Sequence, residues 1–169
     1  MQQYLDVIRR VLESGHRKSN RTGVDTLSTF NVNYQIDLRL GFPLLTTKEI
    51  SWKNIVVENL WFLSGDTRID LLRKHGCRFW EPWADENGLV PSAYGNFWRN
   101  FPVHKDGEAA FNDQIRYVVD ELKARPQSRR LVVSAWAPGN AQTSALPPCH
   151  AFWVLNVQQD EHRDPLLCL

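Results

Sequence analysis

Cys149 stands in "SALPPCHAFW", residues 144–153, between two prolines and a histidine and just ahead of an apolar run. A free cysteine usually serves as a small buried hydrophobe. A reacting thiol has a further need, because its sulfur must be held against a substrate, and Pro147 and Pro148 stiffen the backbone that carries it. Cys77 follows a glycine in a charged loop and Cys168 lies in an apolar run, so neither has such a setting. Arg129 and Arg130, in "QSRRLVV", fall between a helix end and a strand start. Paired guanidiniums there can grip a phosphate bidentately, or can simply be a solvated turn. Arg21, in "SNRTG", is a weaker form of the same signal. Glu58 has Ile55, Trp61 and Phe62 three and four residues away. A carboxylate on an apolar surface is costly unless hydrogen-bonded or neutralised, which makes it a candidate proton relay. The alternative is a helix-edge glutamate that reaches water. Trp80, Trp83, Tyr94 and Trp98, in "RFWEPWADENG" and "SAYGNFWRNF", form either a stacking wall for a flat ligand or a satellite core under a long loop.

The elements that must position these side chains follow from periodicity. Tyr4, Ile8, Val11 and Leu12 recur at helical spacing, with Gly15 as a stop. Phe30, Val32, Tyr34, Ile36, Leu38 and Leu40 alternate with polar residues, which predicts a long half-buried strand. Residues 52–63 read as a helix that is apolar almost all round, placed in the interior. Residues 65–104 read as loop-rich. Phe111, Ile115, Val118, Val119 and Leu122 mark an amphipathic helix ending near Pro126. Two strands follow, "LVVSAW" and "AFWVLNV", on either side of "APGNAQTSALPPCH", and "DPLLCL" reads as the opening of another. The class is α+β, with a mostly antiparallel or mixed sheet and long functional loops.

The bulk numbers bound the rest. A chain of 169 residues suits one domain, here 1–169, with one sizeable core. Twenty Lys and Arg against nineteen Asp and Glu leave no global basic field, so no DNA binding is expected and any anion site must be local. No stretch approaches a membrane span, and the first ten residues lack a signal-peptide core. Three cysteines without CxxC spacing argue against a disulfide framework or structural zinc and favour a reducing cytoplasm. The abrupt apolar ending is the kind expected of an incomplete domain.

Taken in order, "RTGVDTLSTF", "GFPLLTTK", "ENLWFLSGDT", "WADENG", "YGNFWR", "SRRLVVSAW" and "LPPCHAFW" strongly resemble the thymidylate synthase family over residues 1 to about 158. The resemblance implies an α+β fold on a large mixed or antiparallel sheet packed with helices, and a homodimer. It implies methylation of dUMP to dTMP with 5,10-methylenetetrahydrofolate as carbon donor and reductant, and no metal. By the same resemblance, Cys149 matches the nucleophile that attacks pyrimidine C6. Glu58 matches the acid that organises water and proton transfers. Tyr94 matches an aromatic associated with proton removal at C5. Arg21 matches a phosphate ligand, and Arg129 and Arg130 match arginines that reach the partner subunit's phosphate. Trp80 and Trp83 match residues lining the folate pocket. The chain departs from the family pattern at Glu49, Ser51, Ala137, Trp153, Val154 and in "PSAYG", and it ends before the family's Q-R-S-x-D block. The rival readings are a pyrimidine-nucleotide C5 hydroxymethylase or a UMP C5-methylase on the same fold. A non-catalytic fragment that binds nucleotide or RNA is a third, and a Cys-His hydrolase a distant fourth.

Overall fold

The computed structural model describes residues 2–141, 144 and 146–169. Gln142, Thr143 and Ala145, in the segment joining the two predicted strands, lie outside the described residues, as does Met1. The chain divides between Ser51 and Trp52 into two compact units.

In the first unit, α1 (Gln2–Ser14) carries the expected periodicity and stops where the Gly15 amide bonds the Val11 carbonyl at 2.9 Å. A short antiparallel pair follows, β1 (His16–Lys18) with β2 (Thr26–Ser28). The predicted strand over 30–40 does not form. Asn31 takes a positive φ of 57°, and residues 38–40 turn into a single 3₁₀ turn capped by Asp37. Phe30 is 93% exposed. Alternation gives a segment two faces, but a strand also needs a neighbour to take its backbone hydrogen bonds, and no ladder is present here.

The second unit holds every buried apolar side chain of the described residues, centred on Trp61, Phe62, Leu72, Val90, Phe97, Leu131 and Val133. Its order is α2 (Trp52–Ser64), α3 (Asp70–Lys74), α4 (Tyr94–Asn100), β3 (Phe101–Lys105) and β4 (Glu108–Asn112). Then come α5 (Gln114–Ala124), β5 (Val132–Ser134), α6 (Pro138–Ala141), β6 (Phe152–Val154), β7 (Asn156–Gln159) and β8 (Pro165–Cys168). The helix over 52–63 is present but not interior. Val57, Trp61 and Phe62 are buried, whereas Trp52, Val56, Leu60 and Leu63 are exposed along its other face. The region expected to be loop-rich contains α3 and α4. The latter places Tyr94, Phe97 and Trp98 on one buried face at helical spacing.

Strands β3 and β4 form a hairpin whose turn residues, Asp106 and Gly107, have φ of 54° and 86°. Two consecutive left-handed residues are what the tightest hairpin turn requires, and Asp-Gly supplies them. Phe111 belongs to β4 and is 73% exposed, so the amphipathic helix starts later, at Gln114. The two strands expected in "LVVSAW" and "AFWVLNV" are present but shorter, as β5 and β6, which pair with Val133 opposite Trp153, and the second run breaks at Leu155, beyond which β7 pairs with β8. Helix and strand are mixed, as the α+β class requires. Instead of one large sheet, the described residues form four separate two-stranded antiparallel ladders. Ladders of three to five residues exhaust their pairing quickly, and the segment over 30–40 adds none.

Candidate active site

Two glycines set the geometry. Gly65 ends α2 with φ of 78° and donates its amide to the Phe62 carbonyl at 3.2 Å. Gly95, in α4, faces the same spot. A Cβ on it would lie 2.6 Å from the Phe62 carbonyl oxygen and 3.1 Å from the Gly65 Cα. The helices therefore touch backbone to backbone, which seats Tyr94 edge-on against Phe62, with ring centroids 4.9 Å apart. Arg99, one turn further along α4, donates to the Leu63 carbonyl at 2.7 Å and pairs with Asp113. Asp113 in turn caps α5 by accepting from the Arg116 amide at 2.9 Å. Partial burial pushes the Asp113 carboxyl up. The hydrogen bonds from Arg99 and the Arg116 amide outweigh it and hold the group below its ordinary range.

On this frame the structure brings Tyr94 and Cys149 together across 55 residues of chain. The Tyr94 hydroxyl oxygen accepts the Cys149 amide at 2.7 Å and the His150 amide at 3.2 Å. The Tyr94 and His150 rings stack at 5.1 Å. Cys149 itself is exposed, Cys77 is buried at the end of α3, and Cys168 is intermediate on β8; all three thiols are free.

Glu58 is half-buried, and its Oε1 accepts the Trp80 indole N–H at 2.6 Å. Trp80 stands edge-on to Tyr94 at 6.2 Å and 90°. Glu58, Trp80, Tyr94 and Cys149 are therefore linked side by side through one aromatic cluster. The cluster answers the choice left open for the loop aromatics. Trp80, Tyr94 and Trp98 are members of the main core, and Trp83, on a 3₁₀ turn (Glu81–Trp83), is half-buried against it. Trp80 thus presents almost no ring surface to a ligand and has its indole N–H engaged, while Trp83 keeps an open portion. The Trp98 indole Nε1 is buried without a hydrogen-bond partner.

The three arginines are all exposed. Arg129 and Arg130 are exposed between α5 and β5, with the Arg130 amide bonded to Ser128 Oγ at 3.2 Å. Arg130 also contributes to holding the Glu121 carboxyl low, behind the larger effects of the Arg125 and Ser128 hydrogen bonds. Arg21 is exposed in the turn between β1 and β2, a turn built by Asn20, whose side chain accepts from the Thr22 amide and donates to the Val24 carbonyl. Among the described residues neither Arg21 nor Arg129 has an ion-pair partner. Nor does any group of three or more His, Cys, Asp or Glu side chains there suit a metal ion.

Sequence reasoning missed three supports. Gly95 and Gly65 carry no local sign of a helix crossing. Gln114 donates to the Phe97 and Ser134 carbonyls at 2.8 and 2.7 Å and accepts the Ser134 amide at 2.9 Å, tying α4, α5 and β5. A polar residue on the buried side of an amphipathic helix was the available signal for it.

The thymidylate synthase family model matches residues 2–168. The chain belongs to the thymidylate synthase family. It is 46% identical to a thymidylate synthase of Haloferax volcanii over 175 aligned residues, which cover 92% of this chain and 51% of that protein. The chain thus spans about half the length of the curated relative it matches. The family's α+β character agrees with the mixed helices and strands described above, and the blocks that carry the resemblance include both the Cys149 loop and the helix of Glu58. Among the described residues no helix is long and apolar enough to cross a membrane.

Proposed function

We propose that this chain provides the nucleophile-bearing part of a thymidylate synthase that methylates dUMP to dTMP. The observation that carries the reading is the family match over residues 2–168, within which Cys149 is the exposed thiol on a tethered loop. Cys149 adds as thiolate to C6 of the pyrimidine. The S–C6 bond forms, the C5–C6 π bond opens, and the electron pair moves onto C5 and the C4 carbonyl. 5,10-Methylenetetrahydrofolate, as co-substrate, supplies the one-carbon unit and the hydride that reduces it to methyl. The C5 proton departs, and the thiolate is expelled as the C5–C6 double bond returns.

Glu58 handles protons around the base. Trp80 fixes one of its carboxylate oxygens, and the other has no partner among the described residues. Trp83 offers the half-open ring face that a flat pterin can cover, and Trp80 supports the pocket from behind through Glu58. Tyr94 stands beside the nucleophile in the position that the family associates with C5 proton removal. Arg21 binds the nucleotide phosphate. Arg129 and Arg130 bind the phosphate held by a second subunit, a role their exposure permits, so the working enzyme is a homodimer. In that enzyme the short ladders join a larger sheet. The free thiols suit a cytoplasmic setting, and the reaction as drawn uses no metal.

The test is to incubate the full-length protein with 5-fluoro-dUMP and methylenetetrahydrofolate and map the covalent adduct by mass spectrometry. One adduct on Cys149 is expected, with turnover lost in Cys149→Ser. An adduct on Cys77 or Cys168, or normal turnover by Cys149→Ser, overturns the assignment.

A further inference from the structure

We propose that Arg125 is a positioning residue for the phosphate arginines: it occupies the Glu121 carboxylate and so leaves the Arg130 guanidinium free for the anion. This rests on the reading of Arg130 as a ligand of the phosphate held by a second subunit. The connection from α5 to β5 is A-R-P-Q-S-R-R, residues 124–130. Pro126 cannot continue a helix, so α5 stops at Ala124 and Arg125 leaves the helical region, with φ of −145° and ψ of 75°. The Arg125 amide still bonds the Glu121 carbonyl at 2.7 Å. Its side chain turns back over the helix end, where Nε donates to Glu121 Oε1 at 3.0 Å and Nη2 donates to Oε2. Ser128 closes the turn. Its amide bonds the Arg125 carbonyl at 2.9 Å, its hydroxyl donates to the Glu121 carboxylate, and its Oγ accepts the Arg130 amide at 3.2 Å. Leu131, the next residue, is fully buried, and its carbonyl accepts the Leu155 amide at 2.8 Å. The backbone of Arg130 is therefore held on both sides.

That clip brings a hazard. Glu121 is only 6% exposed, and a carboxylate so buried is costly unless paired. Ser128 joins it to the backbone of Arg130, a cation five residues beyond Arg125. Left unpaired, Glu121 would draw in the Arg130 guanidinium and compete with any incoming phosphate. A carboxylate has two oxygens, and one planar guanidinium covers both at once. Arg125 does so. Among the described residues Glu121 forms its ion pair with Arg125, and Arg130 forms none. With the Glu121 charge cancelled, Arg129 and Arg130 present an uncompensated double positive charge to solvent. The Arg125 side chain is 71% exposed, and an ion pair with so exposed a partner adds little to folding. Its effect falls on the neighbouring cation instead.

The test measures steady-state kinetics of the full-length protein with dUMP varied at saturating methylenetetrahydrofolate. In Arg125→Ala the KM for dUMP is expected to rise about tenfold, with kcat little changed. Inorganic phosphate, which probes the anion site alone, should inhibit more weakly in the same proportion. Adding Glu121→Gln to Arg125→Ala removes the competing charge and keeps an oxygen for Ser128. The double variant should regain nearly the wild-type KM and phosphate inhibition, whereas a merely structural role predicts further damage. An unchanged KM in Arg125→Ala, a double variant worse than the single, or a large fall in the thermal midpoint of Arg125→Ala overturns the proposal. Arg130→Ala checks the reading beneath it and should raise KM at least as much as Arg125→Ala. A normal KM in Arg130→Ala overturns that reading and the proposal with it. A raised KM in Arg130→Ala beside a normal one in Arg125→Ala overturns the proposal alone.

Discussion

Residues 2–51 and 52–169 have similar shares of large apolar side chains and opposite fates for them. Among the described residues none of the first set is buried, whereas the second contains the whole core and all the residues linked around Cys149. Leu12, Phe30, Leu40 and Phe42 are as hydrophobic as Phe62, Leu72 and Val133, yet they remain exposed. The difference lies in what each segment can close upon. In the second unit, Gly65 and Gly95 let two helices meet at backbone distance, and the aromatics of both sides then interlock. In the first, a helix, a short ladder and an extended run that joins no ladder supply no second layer of their own.

The largest effect that would test this contrast is Trp61→Ala. Trp61 is fully buried, packs on Phe62 and Trp80, and donates its indole N–H to the Arg68 carbonyl at 2.8 Å. Truncating such a side chain costs about 3–5 kcal/mol, so chemical denaturation should show a large fall in midpoint or no folded protein. Glu58→Gln separates chemistry from packing within the same unit. An amide can still accept the Trp80 N–H, so the thermal midpoint should change little while turnover falls by about 10²–10⁴-fold. Unaltered turnover with a large loss of stability would make Glu58 a structural hydrogen-bonding residue.

Asp113→Ala should cost about 1–2 kcal/mol at neutral pH, because it removes both the α5 cap and the partner of Arg99. Its folded carboxyl sits below the ordinary range, so the charged part of that stabilisation is present above roughly pH 4 and is lost as pH falls through the folded value. Wild type and variant should therefore converge in stability on acidification, measured by urea titration at each pH. Phe30→Ser is the smallest. In an unburied side chain the change should stay within about 0.5 kcal/mol. A loss well above that, with the midpoint dependent on protein concentration, would show that another surface covers Phe30 in solution.

Legibility in the sequence follows the same division. The helix read from Phe111 was legible because its buried face imposes a period, although it begins at Gln114, whereas the helix over 52–63 was legible only as a nearly all-apolar run, which hid that one of its faces is exposed. The strand expected over 30–40 failed because alternation records two faces and says nothing about a neighbour. The β3–β4 hairpin was overlooked although Asp106–Gly107 announces it. Helix α4 was hidden by aromatics read as loop. At the site, Cys149 was marked by its prolines and Glu58 by its apolar neighbours. Their connections were not marked, since the Trp80–Glu58 bond spans 22 residues and the Tyr94–Cys149 bond spans 55. Contacts at such separation leave no periodic trace.

Gln114 has a consequence for how β5 can grow. Its side-chain amide offers N–H and C=O to one residue, Ser134, in the way a neighbouring peptide group would. It thus acts as one rung of an absent strand, on the edge of β5 that faces away from β6. An open strand edge is a template for unwanted pairing. Here a single side chain, itself locked to the Phe97 carbonyl, plugs that template, and an incoming strand could pair at Ser134 only by evicting it. A carboxylate at 114 would put oxygen against two carbonyls and leave the plug repelling the strand it now closes.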